Sequence, residues 1–298
     1  MLRVNNVSVE IEKTKILEDI SFSAEPGEII GLVAPNGSGK TTLLNAISNL
    51  IPASKGEISI YGMNYKMHRE KILKKIFFLQ DHTVLYPSLT GREHLKLVQR
   101  LWESKQECGA VIEKLSMGSY IDKRVSKYSL GMQQRLLFGM CLISSCDLLL
   151  MDEPMNGLDP SNIKLISESI KQLRDENKIV LFSSHILNNV DELCDRVIFL
   201  KQGRMVYESR KNNPDFNKYI IIKLENGNDA NKVLSLFKDE EIKNATANEV
   251  WAEIDSSKSS FVVNQAFEQD MKFKSFFIGQ KGSQQIYEEI YEGEDKWG

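Results

Sequence analysis

The 298-residue chain has no excess of positive charge: 38 lysines and arginines stand against 41 aspartates and glutamates, for a net charge of −3. With no whole-chain basic field to hold a phosphodiester backbone, nucleic acid is not expected as a partner. Cysteine is scarce. Cys108, Cys141, Cys146 and Cys194 show no C-x-x-C pairing, so buried, reduced thiols in a cytosolic protein are the expectation. The opening MLRVNNVSVE has no apolar core of the kind a secretory signal needs. No segment approaches the roughly 20 apolar residues that cross a bilayer. The longest apolar stretches, such as LLLM at 148–151, have strand length, and the chain is not expected to span a membrane by itself. Internal repeats, heptads and low-complexity tracts are also missing.

What is there is an alternation of strand-like and helix-like segments, long enough for one or two domains. Two short alternating stretches, VNNVSVEI and ILEDISFSA, lead to the turn Glu25-Pro26-Gly27-Glu28. The buried-strand run Ile29-Ile30-Gly31-Leu32-Val33 then opens onto Ala34-Pro35-Asn36-Gly37-Ser38-Gly39-Lys40-Thr41, followed by helical composition to Leu50. Residues 56–62 and 75–80 read as strands, and Thr90-Gly91-Arg92-Glu93 has the spacing of a capping box opening a helix to about Trp102. The stretch from about 81 to 140 is largely helical, interrupted at Gly118 and at Tyr128-Ser129-Leu130-Gly131. CDLLLMDEP and NKIVLFSSH are strands around a helix at 161–176, the alternation of a parallel sheet. The predicted fold class is therefore α/β, with a helical insertion. A polar linker is predicted at Lys211–Asp215, and beyond it the order βαββαβ resembles a small ferredoxin-like domain, ending in a helix at 283–292. The domain boundaries are thus 1–212, with a helical subdomain at about 81–140, and 216–298 for a C-terminal α+β accessory domain.

The glycine-rich stretch has the pattern of a phosphate loop. Glycines let successive backbone N–H groups wrap a polyphosphate, a lysine neutralises it, and a hydroxyl is left for Mg²⁺. Asn36, Gly37, Ser38, Gly39, Lys40, Thr41 and Thr42 are the candidate binding residues, and the helix beginning there points its positive end at the anion. Ala34 stands where the first glycine is expected, which is tolerable only if φ is negative there. The strand Leu148–Met151 ends in Asp152 and Glu153, one carboxylate for Mg²⁺ and one for an attacking water. No N-K-x-D follows to read guanine.

Tyr128-Ser129-Leu130-Gly131-Met132-Gln133-Gln134-Arg135, standing before that acidic strand, resembles the L-S-G-G-Q signature of the ATP-binding cassette (ABC) ATPases. Ser129 and Gly131 match and Gln134-Arg135 follow as in the family, whereas Tyr128, Leu130 and Met132 depart from it. The form is similar to the branch that exports bacitracin- and lantibiotic-type peptides. The resemblance covers residues 2 to about 210 and implies a P-loop core with an antiparallel β subdomain and a helical subdomain. It implies roles residue by residue. Gln80 matches the loop glutamine that touches Mg²⁺ and water, Asp159 the loop at the subunit contact, and His185 the histidine on the γ-phosphate. By the same likeness, Thr41, Gln80 and Asp152 hold Mg²⁺, and Glu153, His185 and Gln80 are catalytic. His68, His82 and His94 are read as structural or solvated. The family's adenine-stacking aromatic is missing, because Ile11 occupies its place.

The function implied is that of an ATP-binding and hydrolysing subunit, with Mg²⁺. It would act with a second ABC ATPase copy, each ATP lying between one phosphate loop and the partner's Ser129 and Gly131. It would power export, of peptides or antimicrobials among other substrates, through a separate integral membrane permease. The chain would sit at the cytoplasmic face of the membrane, docked through residues 81–140. The alternative is a soluble ABC ATPase acting on ribosomes or DNA. Those commonly carry two cassettes, or a long coiled coil between loop and signature, and neither is present.

Overall fold

Alternation of side chains sets the first sheet. In β1 (Leu2–Ile11) Leu2 and Val4 are buried while Arg3 and Asn5 face solvent, the two-residue period that lets one face of an antiparallel sheet pack while the other is wet. With β2 (Thr14–Ala24), β4 (Lys55–Ile60) and the short β5 (Met63–Asn64) it forms an antiparallel sheet of order β2-β1-β4-β5. The computed structural model describes residues 1–211, 218–225, 229–238, 241–246, 248–254, 258–268, 271–279 and 282–291. The linker expected at Lys211–Asp215 falls almost wholly outside the described residues.

The second sheet carries the chemistry. Its strands are β3 (Ile29–Val33), β6 (Ile76–Leu79), β7 (Leu148–Met151), β8 (Ile179–Ser183), β9 (Arg196–Lys201) and β10 (Arg204–Arg210), in the order β10-β9-β3-β8-β7-β6. All are parallel except β10, which returns beside β9. Strands β3, β7 and β8 are buried at every position because both faces are covered, and all their residues but Ser183 at the end of β8 are apolar or glycine. On one face α1 (Lys40–Ile47) brings Leu43, Leu44 and Ile47 against Ile30, Leu32, Leu148 and Leu181, all fully buried. Each such side chain stabilises the fold by roughly 1.5–3 kcal/mol relative to exposure. The other helices of this sheet are α2 (Tyr65–Leu73), α6 (Pro160–Asp175) and α7 (Leu187–Leu193). Gly31 is required by packing: a Cβ there would lie 2.8 Å from Cys194 Sγ and 3.0 Å from Val190 Cγ1.

Register decides what comes together. Leu32 pairs with Ser183, Met151 with Phe182 and Leu79 with Met151. The phosphate loop after β3, Asp152-Glu153 after β7, Ser184-His185 after β8 and Gln80 after β6 therefore emerge side by side at the carboxyl edge, where open α/β sheets bind ligands.

The insertion holds α3 (Gly91–Leu101), α4 (Cys108–Lys114) and α5 (Leu130–Ser144), with 3₁₀ turns at His82–Val84 and Val125–Lys127. The capping box forms as expected: Thr90 Oγ1 accepts the Glu93 N–H at 3.2 Å and Glu93 Oε2 accepts the Thr90 N–H at 2.7 Å. His94 is a buried structural residue, its Nε2 accepting the Tyr86 N–H at 2.9 Å.

The chain divides into two compact units, residues 1–211 with 287–298, and residues 212–286. The second unit comprises β11 (Lys218–Leu224), α8 (Ala230–Leu234), β12 (Ile242–Ala245), β13 (Glu249–Ile254), α9 (Ser259–Glu268) and β14 (Phe273–Gly279). Its sheet order, β12-β13-β11-β14, is antiparallel throughout, the ferredoxin-like arrangement expected. Ile220, Ile222, Val250 and Ala252 pack there against Val233, Val262 and Ala266 of its helices. The sequence boundary at 216–298 differs at its far end. Within α10 (Ser283–Tyr291), residues from Tyr287 onward belong to the first unit, tied there by Lys201 Nζ donating to Ile290 O at 2.9 Å and by the Tyr291 hydroxyl.

Candidate functional site

The loop from Ala34 to Thr41 needs left-handed backbone at two places, and both are glycine: Gly37 at φ 80° and Gly39 at φ 100°. At Gly39 space is also short, since a Cβ would come within 2.6 Å of Leu17 Cδ2. Ala34 is not among the positive-φ residues and is buried, so its methyl group sits in ordinary backbone and the missing glycine is no defect. Asn36 and Gly37 are exposed, Ser38 and Thr42 half-buried, and the Ser38 N–H closes a turn on Pro35 O at 3.3 Å. Lys40 is buried, and its ammonium folds onto the loop, donating to Ala34 O at 2.7 Å and Pro35 O at 3.3 Å. Burial lowers its pKa, against the opposing pull of Glu153 and Asp152.

Across from the loop the acidic pair is already oriented. Thr41 Oγ1 donates to Asp152 Oδ2 at 2.7 Å, and Ser183 Oγ donates to Asp152 Oδ1 at 2.6 Å. The Glu153 N–H in turn donates to Ser183 Oγ at 2.9 Å. Glu153 has φ 49°, a left-handed conformation that costs a non-glycine residue about 1–2 kcal/mol, and backbone of this kind clusters at functional sites. His185 Nδ1 lies 2.8 Å from Glu153 Oε2. Ser183 has no motif that marks it in the sequence. Its signal was a hydroxyl at the end of an otherwise apolar strand, immediately before Ser184-His185, but its two partners became visible only through the pairing of β7 with β8.

Gln80 stands beside this group through the backbone, since the Asp152 N–H donates to Leu79 O at 2.9 Å. Its side chain lines a groove of about 630 Å³ with Leu50, Arg69, Leu73, Phe78 and Trp102. Ser129 and Gly131 are brought to a different partner. Ser129 caps α5, accepting the Met132 N–H at 3.4 Å, and Leu130 packs on Gly157, whose φ is +71°. Arg135 Nε donates to Asn162 Oδ1, so signature and 156–162 segment form one body. Asp159 caps α6: its Oδ1 accepts from Ser161 Oγ at 2.6 Å and from the Asn162 N–H at 3.0 Å. The Ser161 hydroxyl and the Asn162 N–H hold its pKa down at about 2. Tyr128, the departure before Ser129, is a packing residue, its hydroxyl donating to Tyr120 O at 3.0 Å with the two rings edge to face.

The donor set fits the expected ligands. A hydroxyl and a carboxylate already in contact, with no cluster of three His, Cys, Asp or Glu among the described residues, is a hard-oxygen pair suited to Mg²⁺ carrying waters and phosphate oxygens. An ammonium held on carbonyls, without a carboxylate hydrogen-bonded to it, fits an arriving polyphosphate.

The chain is similar to known proteins. The ABC transporter family profile matches residues 17–156. The "Uncharacterized ABC transporter ATP-binding protein YdbJ" of Bacillus subtilis (strain 168) is 37% identical over 211 residues, 70% of this chain and 68% of that protein. The chain belongs to the ATP-binding proteins of ABC transporters. The "Lantibiotic transport ATP-binding protein SrtF" of Streptococcus pyogenes is 33% identical over 70% of this chain and 90% of its own length. A solved dimer of the ATP-binding cassette MJ0796, in a post-hydrolysis state bound to ADP and Pi, covers 72% of this chain and 100% of its own, with a TM-score of 0.64 at 24% identity, and shares the fold. Membership makes ATP the nucleotide and ATP hydrolysis the activity of this ABC protein, whose signature carries Tyr128 where the family has leucine. The Ile11 side chain is 40% exposed.

Proposed function

We propose that this ABC ATPase works as a head-to-tail pair that powers export of a substrate, of the peptide or antimicrobial class, through a separate integral membrane permease. The observation that carries the reading is the convergence of Lys40, Thr41 with Asp152, and Glu153 with His185 at the carboxyl ends of three adjacent parallel strands. Lys40 and the N–H groups of 37–41 bind the β- and γ-phosphates. Thr41, Gln80 and Asp152 would hold Mg²⁺, which when bound neutralises charge on the phosphate oxygens. Glu153 polarises the water that attacks the γ-phosphorus as the bond to the bridging oxygen breaks, and His185 stabilises the transferred phosphoryl group. Ser129 and Gly131, at the N-terminus of α5, face the ATP of the partner copy, and Asp159 lies near that contact.

No helix among the described residues is long and apolar enough to cross a membrane, so work on a transported substrate requires another protein. The groove beside Gln80 is the proposed seat for that permease, with the cassette peripheral at the cytoplasmic face. Most of its lining precedes the 81–140 insertion, which contributes Leu101 and Trp102, and Trp102 is fixed by an N–H donated to Ile76 O at 3.0 Å. SrtF, the lantibiotic transport relative, favours the export reading over one on ribosomes or DNA. Glu153→Gln tests the mechanism: turnover should fall by about 100-fold or more while ATP traps a dimer on a sizing column. Unchanged hydrolysis would remove Glu153 from the mechanism. Purification from membranes should retain a permease, and recovery of ribosomes instead would overturn the transport assignment.

A further inference from the structure

We infer that Tyr291, on the last turn of α10, is a positioning residue of the ATP site that fixes the start of the phosphate loop, an inference resting on the ATPase reading above. Its hydroxyl donates to Leu200 O at 2.7 Å and approaches Val33 O at 3.3 Å, bridging the carboxyl ends of β9 and β3. Val33 and Leu200 are fully buried, and Val33 is the last residue before the loop. The next carbonyl along, Ala34 O, is the one that receives Lys40 Nζ. One phenol therefore sits a single residue upstream of the lysine's own anchor.

Two further contacts make this a built arrangement rather than a chance approach. Lys201 Nζ donates to Ile290 O at 2.9 Å and so holds the end of α10 from the same strand, β9. The Tyr287 ring lies 4.5 Å from the Tyr291 ring, centroid to centroid, and packs against it. Burial raises the Tyr291 pKa, as expected of a phenol enclosed by protein. The turn after β9 is in turn locked to the nucleotide side of the β subdomain. Gly203 O accepts the Glu18 N–H at 2.9 Å, and a Cβ on Gly203 would meet Ile16 O at 2.2 Å. Leu17 beside it is the residue that leaves no room for a side chain at Gly39. Phosphate binding by a backbone loop is sensitive to how well that loop is preorganised.

The test uses the full chain and Tyr291→Phe, which keeps the ring and removes only the hydroxyl. ATP affinity is measured by calorimetry in the Glu153→Gln background, beside KM and kcat in the parent and amide exchange at residues 34–40. The loss of one buried hydrogen bond should weaken ATP binding about 3–10-fold and speed exchange in the loop. A matching rise in KM with kcat within about twofold would mark ground-state binding. Tyr287→Phe should leave affinity unchanged, and Lys201→Met should shift it in the same direction as Tyr291→Phe. Unaltered ATP affinity and loop exchange in Tyr291→Phe, with a lowered melting temperature alone, would make Tyr291 merely structural and overturn the inference. Absence of ATP binding by the parent would instead overturn the ATPase reading, and this inference with it.

Discussion

Around the phosphate loop, Thr41, Asp152, Ser183, Glu153 and His185 are joined in one hydrogen-bonded chain, and Lys40 is held close by on its own loop. Around Ser129 the bonds run elsewhere: the serine caps its own helix, and the α5 face leans on 156–162 through Leu130 and Arg135. The first region has charge and proton-transfer groups but no second wall. The second has a hydroxyl and a glycine at the start of a 15-residue helix, a surface suited to phosphate, while its charged neighbours Arg135 and Asp159 are engaged in structural bonds. Each supplies what the other lacks. Two copies packed head to tail, as proposed above, would unite them.

The sharpest way to break that contrast is to disable the two regions in different copies. Lys40→Ala and Ser129→Arg should each abolish turnover alone, while a 1:1 mixture should recover about a quarter of parental activity, since half the dimers carry one intact composite site. A mixture as dead as its components would mean that the regions do not meet across a dimer.

Ser183→Ala sharpens the first side of the contrast. It removes the hydroxyl between Asp152 and the Glu153 N–H and should lower kcat about tenfold with little change in ATP affinity. Ile11→Tyr probes what the phosphate side lacks. A ring at that exposed position should tighten ATP binding about 3–10-fold by stacking, measured by calorimetry against a nucleotide-free control. The smallest effect is expected on the signature side. Asp159 has its pKa held down at about 2, so its cap on α6 contributes stability above the ordinary carboxylate range and loses it as pH falls through about 2. Asp159→Ala should therefore melt a few degrees below the parent at pH 7, and the gap should narrow between about pH 4 and pH 2.

Much of the site was legible because its pieces are local in sequence. The loop 34–41, the pair Asp152-Glu153 and the strand-end His185 each announce themselves by a short run of residue types, and the capping box at Thr90 needs only its own helix. Ser183 was less visible because a serine after four apolar residues has no signature of its own. Tyr128 read as a departure from a motif and proved to be a core residue anchored on Tyr120. The end of the chain was least legible. A helix at 283–292 was expected within the second domain, yet its last described turn belongs to the first unit, because that assignment depends on carbonyls at Val33 and Leu200, far away in sequence.

The phosphate-binding loop, the acidic strand end and the α/β alternation follow from residue order alone, since each depends on backbone freedom, charge and periodicity within a few consecutive residues. How these pieces meet is a property of the folded chain. Parallel pairing of β3, β8, β7 and β6 places Lys40, His185, Glu153 and Gln80 on one edge. The same pairing lets Ser183 span the acids, and β9 holds the final helix against the base of the loop. Strand order and register are set by which buried faces fit together across the whole core, and no short window of sequence contains that information.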